Sequence, residues 1–267
     1  MSAPIPSESV RAFFAFHLKQ IREGKGWSQP ELGTRVHISG TLVAGIEACS
    51  RRPTRKLSRT LDEAFGLEQF FEALHPRIVE EAGLPPGFAE FTEAEAEAGV
   101  IKIYDNFVIA DLFQTEEYAR AVLRAGRPPN KVERLVAARA ERQEILRQDS
   151  PPMVVALLDS STLRRPFGGR EVMRAQLEHL LTLAELPHVQ VHMVPEDAAL
   201  SPGGAFTLLS SASEPDRAYA ESAGACGRLV DDAACVTELD QLLDVIKSKA
   251  LNVEDSQVAV LKALEEL

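Results

Sequence analysis

"SQPELGTRVHISGTLVAGIEACSRRPTRK", residues 28–56, marks the ends of two short helical runs. Ser28 can accept from the amide at Glu31 while Glu31 reaches back to the amide of Ser28. Pro30 is tolerated in the first turn, whose amides lack helical partners. These signals predict a short helix through Val36. After "HI", Ser39 is positioned to cap another helix, on which Leu42, Val43 and Ile46 form the buried face. Pro53 and Thr54 separate it from a further helix with Leu57, Leu61, Ala64 and Phe65 at three- and four-residue spacing. Upstream, Val10, Phe13, Phe14, Phe16, Leu18 and Ile21 recur at helical spacing until Gly24 and Gly26. Downstream, "EQFFEALHPRIVEEAG" closes the unit near Gly83.

Two short helices joined tightly, with a longer helix before and another after, make a compact apolar unit that leaves one helix exposed to enter a major groove. This is the helix-turn-helix arrangement. The exposed helix, however, offers Gly40, Thr41, Leu42, Val43, Ala44 and Gly45 where base-reading side chains are expected. Thr41 can donate, accept or touch a thymine methyl, whereas Ala44 and Gly45 offer little. Charge points the same way once it is counted by segment. The chain carries a net −11, yet residues 1–66 hold ten Lys and Arg against six Asp and Glu, leaving nineteen against thirty-four for the rest. Arg51, Arg52, Arg55, Lys56 and Arg59 form a cluster that can meet several phosphates at once.

Through "LKQIREGKGWSQPELGTRVHISGTLVAGIEACSRRPT" the chain resembles the lambda-repressor-like, or XRE, helix-turn-helix family over about residues 13–66. The resemblance implies that Gln29, at the start of the second helix, clamps a phosphate. It also implies that Arg22 and Glu47 form a buried pair bracing the first helix against the third. Cys49 stands where many relatives have glycine, so the turn is expected to differ locally. The surface expected to meet DNA comprises Gln29, Ser39, Gly40, Thr41, Ala44, Gly45, Arg51, Arg52, Arg55 and Lys56. The bare Gly and Ala positions are read as letting the helix lie close in the groove.

At 267 residues the chain is long enough for two ordinary domains. "LPPGF" at 84–88 is the best boundary signal, and the acidic "EFTEAEAEAG" after it reads as helix or linker, with helix preferred. Beyond it "VIKIY", "MVVALLD", "VQVHMVP", "AFTLLSS", "RAYAES" and "GRLVD" are strand-like, while "TEEYARAVLRAG", "KVERLVAARAERQEILRQ" and "REVMRAQLEHLLTLAEL" are helical. The expectation is a multidomain chain. An all-α helix-turn-helix domain over 1–82 precedes a hinge and acidic linker or helix over 83–99, then a larger acidic α/β or α+β domain over 100–267 with a central sheet of roughly four to six strands. No long apolar run predicts a membrane span, and no basic start followed by an apolar block predicts a leader, so a cytoplasmic protein, nucleoid-associated when bound to DNA, is expected. Cys49, Cys226 and Cys235 are an odd set without metal-like spacing, and are read as reduced thiols with no disulfide and no zinc.

The blocks "NFVIADLFQTEEYARAVLRAG", "VERLVAARAERQEIL", "LLDSSTLRRPFGG", "QLEHLLTLAELPHVQVHMVP" and "GGAFTLL" resemble the C-terminal domain of unknown function of antitoxin-like XRE regulators from filamentous sporulating bacteria. That resemblance implies a transcriptional regulator whose C-terminal domain binds a small partner protein encoded nearby. It shows no catalytic site, and no cofactor is expected. Other candidate chemistry reads as structural. His188 and His192 would lie roughly 13 Å apart on a strand, too far to share a metal without a third element. Glu178 and His179 are read as surface residues. Asp159 in "DSSTLRR" is a turn cap rather than part of a nucleophile, and Asp231, Asp232 and Glu238 form a solvated acidic loop. Gly168, Gly169 and Arg170 begin a helix and are a candidate anion site through free amides and a guanidinium. "SPGGAF" at 201–206 reads as a connector. The function expected is sequence-specific DNA binding by a homodimer on a double-stranded operator, not an enzyme and not at a membrane. The alternatives are a regulator sensing a small molecule and, less favoured, an enzyme fused to a DNA-binding module.

Overall fold

A computed structural model of the chain describes residues 5–83, 87–125, 127–198, 203–212, 214–222 and 226–267, with the side chains of 222 and 226 outside the description. "LPPGF" and "SPGGAF" fall partly outside these residues. The chain divides into two compact units, Met1–Leu84 and Pro85–Leu267. Among the described residues, no helix is long and apolar enough to cross a membrane.

The first unit is all helix: α1 Val10–Gly24, α2 Gln29–Arg35, α3 Gly40–Glu47, α4 Arg55–Phe65 and α5 Phe70–Ala82. Ser9, Ser28, Ser39 and Thr54 each accept an amide from the first turn of the helix they precede, and at α2 Glu31 completes the reciprocal cap. Helix α5 has no cap from its own Gln69, which lies in the left-handed region with φ 57°. Buried Asp62, on α4, does this work instead, accepting from the amides of Phe71 and Glu72 at 2.9 Å each. The helices close over Phe14, Leu18, Leu32, Val43, Ile46, Leu61 and Phe71. Trp27, the chain's one tryptophan, stacks on Phe65 with ring centres 5.6 Å apart, and the Arg35 guanidinium lies 4.3 Å from its ring.

The second unit has a mixed six-stranded sheet: β1 Val100–Asp105, β2 Met153–Asp159, β3 Val189–Val194, β4 Phe206–Ser210, β5 Arg217–Ser222 and β6 Cys226–Val230. The strand order is β3-β2-β1-β4-β5-β6. β1, β2 and β3 run parallel, with Ile103 opposite Ala156 and Ala156 opposite Val191, while β4, β5 and β6 continue antiparallel from β1. Parallel neighbours need long crossovers. α7 Glu116–Leu123 with α8 Pro129–Gln143 connects β1 to β2, and α9 Arg170–Ala184 connects β2 to β3. The acidic stretch after "LPPGF" is α6 Phe88–Glu97, packed against β6, so it belongs to this unit rather than to a linker. Alternation along the strands turns Tyr104, Leu157, Phe206, Leu208 and Ala218 to one face, where Val236, Leu243 and Ile246 of α10 Ala233–Lys247 cover them. Tyr219 points to the opposite face, where Phe91 of α6 stacks on it at 4.1 Å.

Edge strand β3 would expose unpaired backbone to solvent. α11 Val253–Glu265 covers it. The Met193 amide donates to the Ser256 hydroxyl at 2.9 Å, and the Met193 carbonyl accepts from the Leu251 amide at 2.9 Å.

The turn between α2 and α3 holds exposed His37 at φ 58°, a left-handed conformation that costs a side-chain-bearing residue about 1 kcal/mol. His37→Gly is therefore expected to stabilise the first unit by about that amount. An unchanged or lower denaturant midpoint, followed by Trp27 fluorescence, would refute the strain.

Candidate nucleic-acid interface

Glu47 joins three helices of the first unit. Its carboxylate accepts from Arg22 of α1 at 2.6 Å (Nε to Oε1) and 2.9 Å (Nη2 to Oε2), and from the Gln29 side-chain amide of α2 at 2.8 Å. Arg22 also donates to the Trp27 carbonyl at 2.7 Å. Arg22 and Glu47 are both 6% exposed, so the pair gains from proximity in a weakly screened setting. Burial by itself would hold the Arg22 pKa down, but its hydrogen bonds to Glu47 outweigh that and raise it. Gln29, expected at a phosphate, is half-buried and has its amide nitrogen committed to Glu47.

Two glycines at the α2–α3 corner have a cause inside the protein. A Cβ on Gly40 would lie 3.0 Å from the Cα and N of Pro30, so glycine here lets α2 and α3 meet backbone to backbone. A Cβ on Gly33 would lie 2.6 Å from the Ile38 carbonyl oxygen, which closes the same corner from the other side. A Cβ on Gly45 would meet the side chain of Arg51. Close backbone approach therefore accounts for Gly33 and Gly40, whereas at Gly45 the neighbour is the side-chain stem of Arg51. Ser39 is engaged as the α3 cap, accepting from the Leu42 amide at 3.1 Å. Thr41 is exposed, Ala44 and Gly45 are half-buried, and beside them Arg51 and Arg52 are half-buried while Arg55, Lys56 and Arg59 are exposed. Arg55 pairs with Glu72 at 3.2 Å. Cys49 takes the glycine-like conformation itself, with φ 57°, so the turn keeps a left-handed residue despite the change of side chain.

Sequence reading missed the polar centre of the second unit, on the α6 side of its sheet. Arg142 of α8 makes a two-pronged pair with Glu95 of α6, both bonds 2.7 Å, and its guanidinium lies 5.1 Å and 4.9 Å from the rings of Phe88 and Phe91. It also reaches Asp111 at 3.4 Å, which Arg139 meets at 2.9 Å. Arg139 donates to Gln114 at 2.7 Å, and Gln114 in turn donates to the Ile109 carbonyl at 2.6 Å. Gln143 and Gln176 bond the backbone of the same loop, at Gln114, Phe113 and Thr115. Burial pulls the Arg142 pKa down, but Glu95, Asp111 and Glu221 more than offset this and raise it.

Asp105, at the end of β1, is 6% exposed and accepts from the amides of Phe107 and Val108 at 3.2 Å each. Loss of hydration, then the charge of Glu221, pushes its pKa up to about 8. Glu221 is also raised, to about 7, by loss of hydration and by Asp111, but it keeps exposed surface, so Asp105 is the clearer carrier of pH dependence.

The remaining candidates are held within the fold. Gly169 donates its amide to the Pro166 carbonyl at 2.9 Å, and Arg170 donates to the Leu267 carbonyl at 3.0 Å, so two donors of the candidate anion site already have partners. Gly168, at φ 78°, lies so near Val172 that a Cβ would come within 3.0 Å of it. His188 and His192 bond the carbonyls of Leu146 and Leu251 at 3.1 Å and 2.8 Å. Among the described residues, no group of three His, Cys, Asp or Glu side chains could hold a metal. Asp159 caps a turn through the Ser161 amide, and Asp232 caps α10 through the Cys235 amide. His179 is half-buried rather than on the surface, and its pKa is lowered by burial and by Arg147.

Residues 88–262 match the family described as Domain of unknown function (DUF5753), and the chain belongs to it. The match begins on the first residue of α6. No curated protein and no solved structure matches the chain.

Removing Glu47 leaves the Arg22 charge buried, so Glu47→Ala is expected to cost the first unit about 3 kcal/mol. The double variant Arg22→Met, Glu47→Leu should cost less than that. Trp27-detected urea unfolding measures both, and a double variant as unstable as the single would contradict a desolvation-limited pair.

An Asp pKa raised from 3.8 to about 8 means that the folded state holds an extra proton between those values. Stability from this group is full below about pH 4 and is lost as the pH rises to about 8. Asp105→Asn keeps an acceptor oxygen for the two amides. It should flatten the fall in stability between pH 5 and 8 by up to about 4 kcal/mol, read from urea midpoints by far-ultraviolet circular dichroism. A pH profile parallel to the parent's would rule this out.

Proposed function

We propose that the protein is a sequence-specific DNA-binding transcriptional regulator of the XRE helix-turn-helix type, acting in the cytoplasm as a homodimer on paired half-sites. The single observation that carries the reading is a rigid α2–α3 corner that leaves Thr41 exposed beside a basic turn. Gly40 seats α3 directly on Pro30, and Glu47 ties α3 to both Arg22 and Gln29. An exposed helix held in one orientation is what major-groove docking requires, and Arg52, Arg55, Lys56 and Arg59 can then engage the backbone. The Gln29 amide, oriented by Glu47, has a second hydrogen for a phosphate. One α3 makes few base contacts, and a dimer doubles them.

The second unit binds, on this proposal, a small partner protein encoded nearby that modulates DNA binding. What supports this is charge: residues 67–267 hold nineteen basic against thirty-four acidic residues, a balance that repels DNA and attracts a basic surface. Neither a cofactor nor a catalytic step is part of the proposal.

A footprint of the full chain on the DNA upstream of its own gene, with and without the neighbouring gene's product, tests the reading. Two protected half-sites about one helical turn apart are expected, with protection altered by the partner. An absence of protection even at low salt would overturn it. Arg55→Ala with Lys56→Ala should weaken binding on all duplexes alike and lower the slope of log affinity against log salt by about 2. An unaltered slope would remove these residues from the phosphate contacts.

A further inference from the structure

On the exposed face of α3, Gly45 lies one turn beyond Thr41, so the two positions are neighbours on the helix surface. Past the helix end the chain folds back onto residue 45. The Gly45 carbonyl accepts from the amides of Ser50 at 2.9 Å and Arg51 at 3.1 Å, and from the Ser50 hydroxyl at 3.1 Å. Left-handed Cys49 makes that reversal. As a result the stem of Arg51 lies over the glycine. A Cβ on Gly45 would sit 2.7 Å from Arg51 Cγ and 3.4 Å from Arg51 Cβ. The room that a side chain of α3 would fill at this position is filled by an arginine from the following turn.

Resting on the DNA-binding function proposed above, we infer that Arg51 supplies the base-reading side chain that α3 lacks at Gly45, and that it reads a guanine. Three bonds separate Cγ from the guanidinium carbon, so the group reaches farther than Thr41 or Ala44 can. A guanidinium matches the O6 and N7 acceptors of guanine with two parallel hydrogen bonds. Gly45 is then a seat for a reader in the turn rather than a gap in the code. Arg51 differs in this from Arg55 and Lys56, which contact phosphates and carry no base preference.

The test is selection of the full chain and two variants on a library of random double-stranded DNA, with sequencing of the bound pool. The parent should enrich a guanine at one base pair of each half-site. Arg51→Ala should lose discrimination at that base pair by about tenfold to a hundredfold and leave the other positions unchanged. Gly45→Ala puts a methyl group where the Arg51 stem lies and displaces it while retaining its charge. This variant should lose the same preference yet keep the parent's salt slope. Alanine is a better helix former than glycine, and Trp27 emission with thermal midpoints verifies that both variants are folded. Should Arg51→Ala lower affinity uniformly with every base preference intact, Arg51 is a phosphate contact and the inference falls while DNA reading stands. Retention of the guanine by Gly45→Ala would likewise overturn it. If the parent enriches no sequence at all, the proposed function fails and takes this inference with it.

Discussion

The carboxylate of Glu47 is the constraint on which the first unit depends. Its two oxygens receive a guanidinium from α1 and an amide from α2 while its own backbone ends α3. Three helices, two of them only seven and eight residues long, thus acquire fixed relative orientations. Helices this short are not stable alone, because nucleation is costly and few hydrogen bonds offset it. Tertiary ties hold them: Glu47 in the polar layer, the contact of Gly40 with Pro30 at the corner, and Ile46 and Val43 in the apolar layer. Any use of α3 as a probe of another molecule rests on that rigidity.

The second unit repeats the device with reversed roles. Arg142 is the buried centre, and Glu95 and Asp111 come to it from different parts of the chain. The segment between β1 and α7 needs such support. It contains buried Ile109, Leu112 and Phe113 but has little regular structure, so its backbone polar groups need side-chain partners. Gln114, Gln143 and Gln176 provide them. The same enclosure explains the high pKa of Asp105: a carboxyl placed beside acidic neighbours and away from water keeps its proton. Buried networks of this kind are intolerant of single changes, since each loss strands a partner.

Much of the architecture was legible in the chain. The caps at Ser28 and Ser39, the break at Pro53 and the apolar periodicity mark out α2, α3 and α4 because these signals act within a few residues of one another. The six strands follow from short β-branched and apolar runs, four of them lying within the stretch so read and β1 and β6 passing it by one residue, at Asp105 and Cys226. Less legible were features made by residues far apart. Asp62 as the cap of α5, Ser256 at the edge of β3, and Glu95 facing Arg142 across 47 residues leave no local pattern. Left-handed His37, Cys49 and Gln69 were equally hidden, because their side chains do not advertise the conformation.

At the candidate interface the division is clearest. Sequence alone determined which residues are present: a basic turn, a lone Thr41, and small residues at Gly40, Ala44 and Gly45. It also determined that local capping would make helices around them, because capping and periodicity are short-range. Tertiary structure decided what the small residues are for. Gly40 is small because Pro30 lies against it, and the space beside Gly45 is taken by Arg51, which folds across it. A glycine carries no mark of what approaches it, so its purpose becomes visible only when the approaching atoms have been brought there by the rest of the fold.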